Sequence, residues 1–150
     1  VTVEILDETG RFRRRSALRA ALSELGAELG AADRDVTLVL VDDATIAERN
    51  RADRGVVGAT DVLSYPLHEP DDVGMPVVPA LGDILISLDT ATRQAREHRH
   101  APWREVFVLA AHGLMHLLGH DHPDRASWAA FEAAQRRILE LADARAQPAR

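Results

Sequence analysis

One stretch constrains this chain more than any other: His112-Gly113-Leu114-Met115-His116-Leu117-Leu118-Gly119-His120-Asp121-His122. His112 and His116 stand four residues apart, close to one helical turn, so both imidazoles leave the same face of a helix. Gly119 suits a chain reversal, because glycine enters the left-handed backbone region without steric cost. That reversal swings His122 back over the face carrying the other two. Neutral imidazoles converging on one point, with room for water, make the donor pattern of a catalytic zinc site. Val106, Phe107, Val108, Leu109, Ala110, Leu114, Met115, Leu117 and Leu118 are apolar, so the helix is largely buried. A buried imidazole needs a partner, which a surface histidine does not.

A similar spacing occurs in zinc proteases of the metzincin type, His-Glu-x-x-His-x-x-Gly-x-x-His. Those enzymes place a glutamate directly after the first histidine as general base. This chain has Gly113 there. A metal held without that carboxylate still acidifies water and polarises a substrate oxygen. It lacks the group that shuttles a proton to a leaving amine, so peptide hydrolysis is the weaker reading.

A chain of 150 residues suits a single domain spanning 1–150 with a real core. There is no cysteine, hence no disulfide and no thiolate metal site. No segment approaches a transmembrane span, and no basic-then-apolar signal pattern opens the chain; a cytoplasmic protein without a membrane partner is expected. The net charge of −6 argues against general nucleic-acid coating, and no DNA partner is expected. All 18 basic residues are arginine. Arg11, Arg13, Arg14, Arg15 and Arg19 form one cluster; Arg93, Arg96, Arg99 and Arg104, with His98 and His100, form another. Each reads first as a solvated helix face and second as a local cationic groove.

Alternation over Val1–Leu6 and β-branched residues over Val36–Val41 predict strands. Thr60–Tyr65 and Gly82–Leu88 complete a set of four. Helices are predicted from Ser16 to about Leu29, from Asp42 or Asp43 through Asn50, and from Asp89 or Thr90 to about Arg99. The histidine helix follows, with Pro102 in its first turn. A last helix, capped by Asp124, has Trp128, Phe131, Ile138 and Leu141 as its core face. Residues 66–81 read as a loop near the site, and those from Ala144 onward as a fraying end. The expected fold is α+β: a small sheet covered by about five helices, with the metal site on a central helix.

Two further segments look like site material. They are Thr60-Asp61-Val62-Leu63-Ser64-Tyr65-Pro66, preceded by Arg54, and Leu81-Gly82-Asp83-Ile84-Leu85-Ile86-Ser87. Alternation predicts Asp61, Leu63 and Tyr65 on one face, with Val62 and Ser64 on the other. Asp61 and Asp83 also fit turn or cap chemistry.

With these pieces the chain resembles the YbeY endoribonucleases, a family also described as rRNA maturation factors. His112–His122 matches that family's His-Gly-x-x-His-Leu-x-Gly-x-Asp-His signature. Thr60–Pro66 and Leu81–Ser87 resemble its Thr-Asp-Val-Leu-Ser-Phe-Pro and Leu-Gly-Asp-Ile-x-Ile-Ser segments. Asn50, Arg54 and the Arg104-Glu105 pair fall where the family has matching residues. His120 stands where tyrosine is usual, Tyr65 where phenylalanine is, and Asp53 and Ala59 where tyrosine and proline are frequent.

The resemblance implies a mixed sheet and a zinc-dependent nuclease cutting single-stranded RNA. It also implies maturation of the 3′ end of small-subunit (16S) rRNA, ribosome quality control, and ribosomal or small-subunit protein partners. His112, His116 and His122 are the expected ligands of one Zn2+, although imidazoles also accept other divalent transition metals. Arg54 becomes the candidate catalytic and substrate-binding residue, because a guanidinium matches two phosphate oxygens at once. Asp61, Asp83 and Asp121 are open candidates for a general base or for orienting a ligand imidazole. His120 reads as exposed, an alternative ligand or a proton donor. The rival readings are a ribosome-assembly factor in which the metal only ties a helix to a turn, and a metalloprotease.

Overall fold

The computed structural model describes residues 1–67 and 79–146. Between 68 and 78, the expected loop lies outside the described residues, as do residues 147–150. The elements run β1 (Thr2–Asp7), α1 (Arg15–Glu28), β2 (Asp35–Val41), α2 (Asp43–Arg54), β3 (Val62–Pro66), β4 (Ala80–Ser87), α3 (Leu88–Glu97), α4 (Pro102–Leu117) and α5 (Arg125–Ala146).

The sheet is mixed, in the order β1-β2-β4-β3. β1, β2 and β4 are parallel, and β3 returns antiparallel against β4. On β1, Val3 and Ile5 are buried while Thr2 and Glu4 face out, as alternation dictates. β4 lies between two strands, and its Ile84, Leu85, Ile86 and Ser87 are all buried. One face of the sheet meets α1 and α4, and α5 packs over those two helices; in this main core Phe107, Leu114, Phe131 and Ile138 are fully buried. On the other face a smaller cluster joins Val41, Leu63 and Leu85 to Ile46 of α2.

α4 is the central helix. It is buried at Val106, Phe107, Leu109, Ala110, Ala111, Gly113, Leu114 and Met115, and Pro102 stands in its first turn. It lies close to the sheet because Gly113 has no side chain. A Cβ at Gly113 would stand 2.7 Å from Ile84 Cγ2. Ser64 Oγ of β3 donates to the Gly113 carbonyl at 3.4 Å.

Two boundaries differ from expectation in ways that matter for the site. α2 continues past Asn50 to Arg54, although its last turn has no apolar stripe. Local pairs support that turn, Arg51 to Glu48 and Arg49 to Asp53 at 3.0 Å, before Gly55 turns left-handed at φ 68°. Arg54 is therefore mounted on a helix end. β3 begins at Val62, so the alternation expected for Asp61 does not apply. At the other end α5 continues through Ala146 where fraying was expected, with Leu141 and Ala142 buried. Ser127 N–H donates to Asp124 Oδ1 at 2.9 Å, the predicted cap. Among the described residues no helix is long and apolar enough to cross a membrane.

Candidate functional site

α4 carries His112 and His116 on one face, with their Nε2 atoms 3.2 Å apart. Past Leu117 the helix closes in a Schellman turn. Gly119 N–H donates to the His116 carbonyl and His120 N–H to the Met115 carbonyl, both at 3.0 Å. Gly119 sits at φ 93°, a conformation side chains oppose. The turn returns His122 to the helix face, its ring centroid 5.2 Å from those of His112 and His116. One ring nitrogen from each histidine lies within 4.8 Å of the others. Ligands of a tetrahedral zinc stand about 3.4 Å apart, so small ring rotations suffice to hold an ion.

Aromatic side chains of α5 close the site from below. The Phe131 ring lies 4.9, 5.0 and 4.8 Å from the rings of His112, His116 and His122. Trp128 stacks on Phe131 at 5.8 Å and meets His122 edge-on at 5.0 Å. The Gln135 amide nitrogen stands 3.3 Å from His112 Nδ1. Trp128 and Phe131 were expected on this stripe, but Gln135 was missed. A polar residue on the apolar stripe between Phe131 and Ile138 was the available signal.

Burial pushes the His112 pKa down to about 4, and the charges of His116 and His122 push the same way. Burial also lowers that of His116, followed by the charge of His122. Both rings are therefore neutral at pH 7, the form that donates a lone pair to a metal. The donor set is imidazole nitrogen alone, without thiolate, which fits zinc and its neighbours in the first transition row.

Arg54, Asp61, Val62, Ser64, Pro66, His112 and His116 line an open cavity of about 380 Å³. Arg54 reaches over it, one guanidinium nitrogen 3.4 Å from the Ser64 carbonyl. Asp61 shares this cavity with Val62 and Ser64, which corrects the expectation that it faces away with Leu63 and Tyr65. Its Oδ1 accepts from Val62 N–H at 2.7 Å and its Oδ2 from the Gln94 amide at 3.2 Å. That turn holds its carboxylate on the histidine side.

The other expectations divide. Asp83 alternates with Ile84, which meets α4, so it stands exposed on the far face of the sheet, away from the histidines. Asp121 is exposed, and its Oδ1 accepts from His122 N–H at 2.8 Å. His120 is exposed and outside the histidine cluster. Asn50 is buried and donates to the Gly58 carbonyl at 3.0 Å, bracing the segment between α2 and β3. Arg104 pairs with Asp143 at 2.7 Å, while Glu105 is buried beneath His98 and His100. Arg11 and Arg93 are likewise paired, with Asp89 and Asp43, so neither arginine cluster presents all its charge.

Known proteins resemble this chain in sequence and in fold. Residues 4–143 match the family model described as Endoribonuclease YbeY. A Thermus thermophilus protein named Endoribonuclease YbeY is 51% identical over 124 residues, covering 83% of this chain and 88% of the relative. One of the same name from Deinococcus radiodurans is 54% identical over 109 residues, covering 73% and 69%. The solution structure of TM1509 from Thermotoga maritima superposes with a TM-score of 0.68 at 25% identity, covering 96% of this chain and 93% of that one. The family match spans most of β1, the other three strands and the whole histidine turn, and on it this chain belongs to the YbeY endoribonuclease family.

Proposed function

We propose that this chain is a single-domain, zinc-dependent endoribonuclease that cuts single-stranded RNA at the His112–His116–His122 centre. One observation carries the reading: the imidazole cluster and a helix-mounted guanidinium, Arg54, face the same open cavity. His112, His116 and His122 hold the ion. Bound there, zinc supplies a Lewis acid that offsets charge developing on the scissile phosphate and acidifies water. With its amide turned so that the oxygen faces the ring, Gln135 would accept the His112 Nδ1–H and leave Nε2 free to ligate, the outer contact that metal-ligating histidines need. Arg54 clamps the non-bridging phosphate oxygens. Asp61, the carboxylate in the cavity, takes the proton of the attacking hydroxyl.

Family membership supports the 3′ end of 16S rRNA as the physiological substrate, the ribosome or its small-subunit proteins as partners, and the cytoplasm as the place of action. His120 and Asp121 stand outside the cluster, leaving three protein donors among the described residues, the pattern of catalytic rather than structural zinc. A side chain at 113 would point into Ile84, so no protease-like glutamate can serve the centre from that position.

The test is cleavage of a single-stranded RNA and its duplex form, before and after chelation and with zinc restored. The proposal expects cutting of the single strand only, lost on chelation and regained with zinc. Cutting that survives full removal of metal overturns it. The product ends identify the attacking group, since a 2′,3′-cyclic phosphate means the RNA 2′-hydroxyl attacked.

A further inference from the structure

A second cluster of metal-ligating side chains lies where α3 meets α4. α3 ends at Glu97, and Arg99 takes φ 57°, the only positive φ outside glycine among the described residues. That turn aims both flanking imidazoles at Glu105 in the first turn of α4. His98 Nδ1 stands 2.9 Å and His100 Nε2 2.5 Å from one carboxylate oxygen, Oε2. Glu105 is only 2% exposed. Its other oxygen, Oε1, accepts no hydrogen bond among the described residues.

A charge so buried requires a cationic partner. The hydrogen bond and charge of Glu105 raise the His98 pKa, so the cluster is built to hold a cation, a proton or a metal ion, against this carboxylate. The neighbouring arginine turns away: Arg104 pairs with Asp143 at 2.7 Å. Beside the cluster is a cavity of about 350 Å³ that reaches to the outer side of His112; among the described residues its charged lining is Asp61, Glu97 and Glu105, with no arginine. That sign of field repels phosphate and attracts a cation.

We propose that His98, His100 and Glu105 form a second site for a divalent transition metal, zinc being the probe, separate from the His112 centre. Two imidazoles and a carboxylate are a recurring three-ligand set for such ions. One donor atom from each lies within 4.8 Å of the others. Binding displaces any proton that His98 shares with Glu105. Each neutral ring places its single N–H on the nitrogen turned away from the ion, Nε2 for His98 and Nδ1 for His100. The ion staples the end of α3 to the first turn of α4, and so braces the helix that carries the histidine triad. The inference stands whether or not that triad is catalytic.

The test is zinc stoichiometry of the metal-stripped full chain, titrated in competition with a chromophoric chelator. His98→Ala suits it because the His98 side chain is 58% exposed, so its loss spares the core. Circular dichroism checks that each variant is folded. The proposal expects two equivalents in the parent, one in His98→Ala, one in His116→Ala and none in the double variant. It also expects zinc to raise the unfolding temperature of His116→Ala but not of the double variant. A parent binding one equivalent that only His116→Ala removes overturns it, leaving a hydrogen-bonded cluster alone. A parent binding one equivalent that only His98→Ala removes supports this site and contradicts the catalytic reading of the triad.

Discussion

Gly113→Ala tests why α4 can carry its histidines at the rim of the sheet. The added Cβ would stand 2.7 Å from Ile84 Cγ2 and 3.2 Å from Ile84 Cδ1. Ile84 is fully buried in β4, so it cannot swing into solvent. Overpacking of this kind costs about 1–3 kcal/mol. Replacing glycine by alanine inside a helix returns about 1 kcal/mol. The net expectation is a loss of about 0–2 kcal/mol in urea unfolding, with an unchanged dependence on denaturant concentration. Ile84→Ala alone opens a cavity and costs about 2–5 kcal/mol. In the double variant the alanine at 113 fills part of that cavity, so the combined loss falls short of the sum by about 1–3 kcal/mol. Zinc affinity should weaken in Gly113→Ala and recover in the double variant, because the clash displaces His112. A more stable Gly113→Ala, or strict additivity, would refute the close approach of α4 to the sheet.

Arg54→Ala should keep full metal content and stability while cleavage falls by about 100-fold or more, the usual cost of losing a charge-stabilising donor; unchanged turnover removes Arg54 from the mechanism. The metal-free protein should lose acid stability in two windows. His112 is held at about 4 against an ordinary 6.5, so the folded state refuses a proton the unfolded chain accepts. Its contribution is complete above pH 6.5 and is lost as pH falls towards 4, worth about 1–2 kcal/mol after discounting for the partly solvated ring. Burial raises the Asp43 pKa, but hydrogen bonds from Arg93, Ser87 and Thr90 outweigh it and hold it at about 2 against 3.8. Its contribution is lost only as pH falls from 3.8 towards 2. Unfolding free energies flat between pH 7 and 4 would contradict the first window, and saturating zinc should shift it to lower pH. Arg99→Gly relieves the left-handed strain of an exposed side chain and should raise stability by about 0.5–1 kcal/mol, or about 1–4 °C; a lower melting temperature would contradict it.

The histidine turn was legible because its logic is local. Helical spacing unites His112 with His116, and Gly119 supplies the conformation that returns His122. The strands were legible too, since Val3, Ile5, Val36 and Leu38 alternate with polar or half-exposed neighbours. Arg54 becomes a candidate only through resemblance, because the residues that share its cavity come from β3 and α4 across the fold. Alternation puts Asp61 on the wrong side because the strand starts at Val62, two residues later than the pattern suggests. Asp83 looked equivalent to Asp61 in sequence, yet the pleat of β4 turns it to the opposite face. The Glu105 cluster carried no signal, because it depends on Arg99 adopting a backbone angle that sequence reserves for glycine.

The most direct test of the account is a paired measurement on His116→Ala: bound zinc, and cleavage of single-stranded RNA beside the parent. The account predicts a folded variant that has lost the zinc held by the triad and, with it, all cleavage, which added zinc does not restore. A variant that loses that zinc and still cuts RNA at the parent's rate would contradict the claim that this centre does the chemistry.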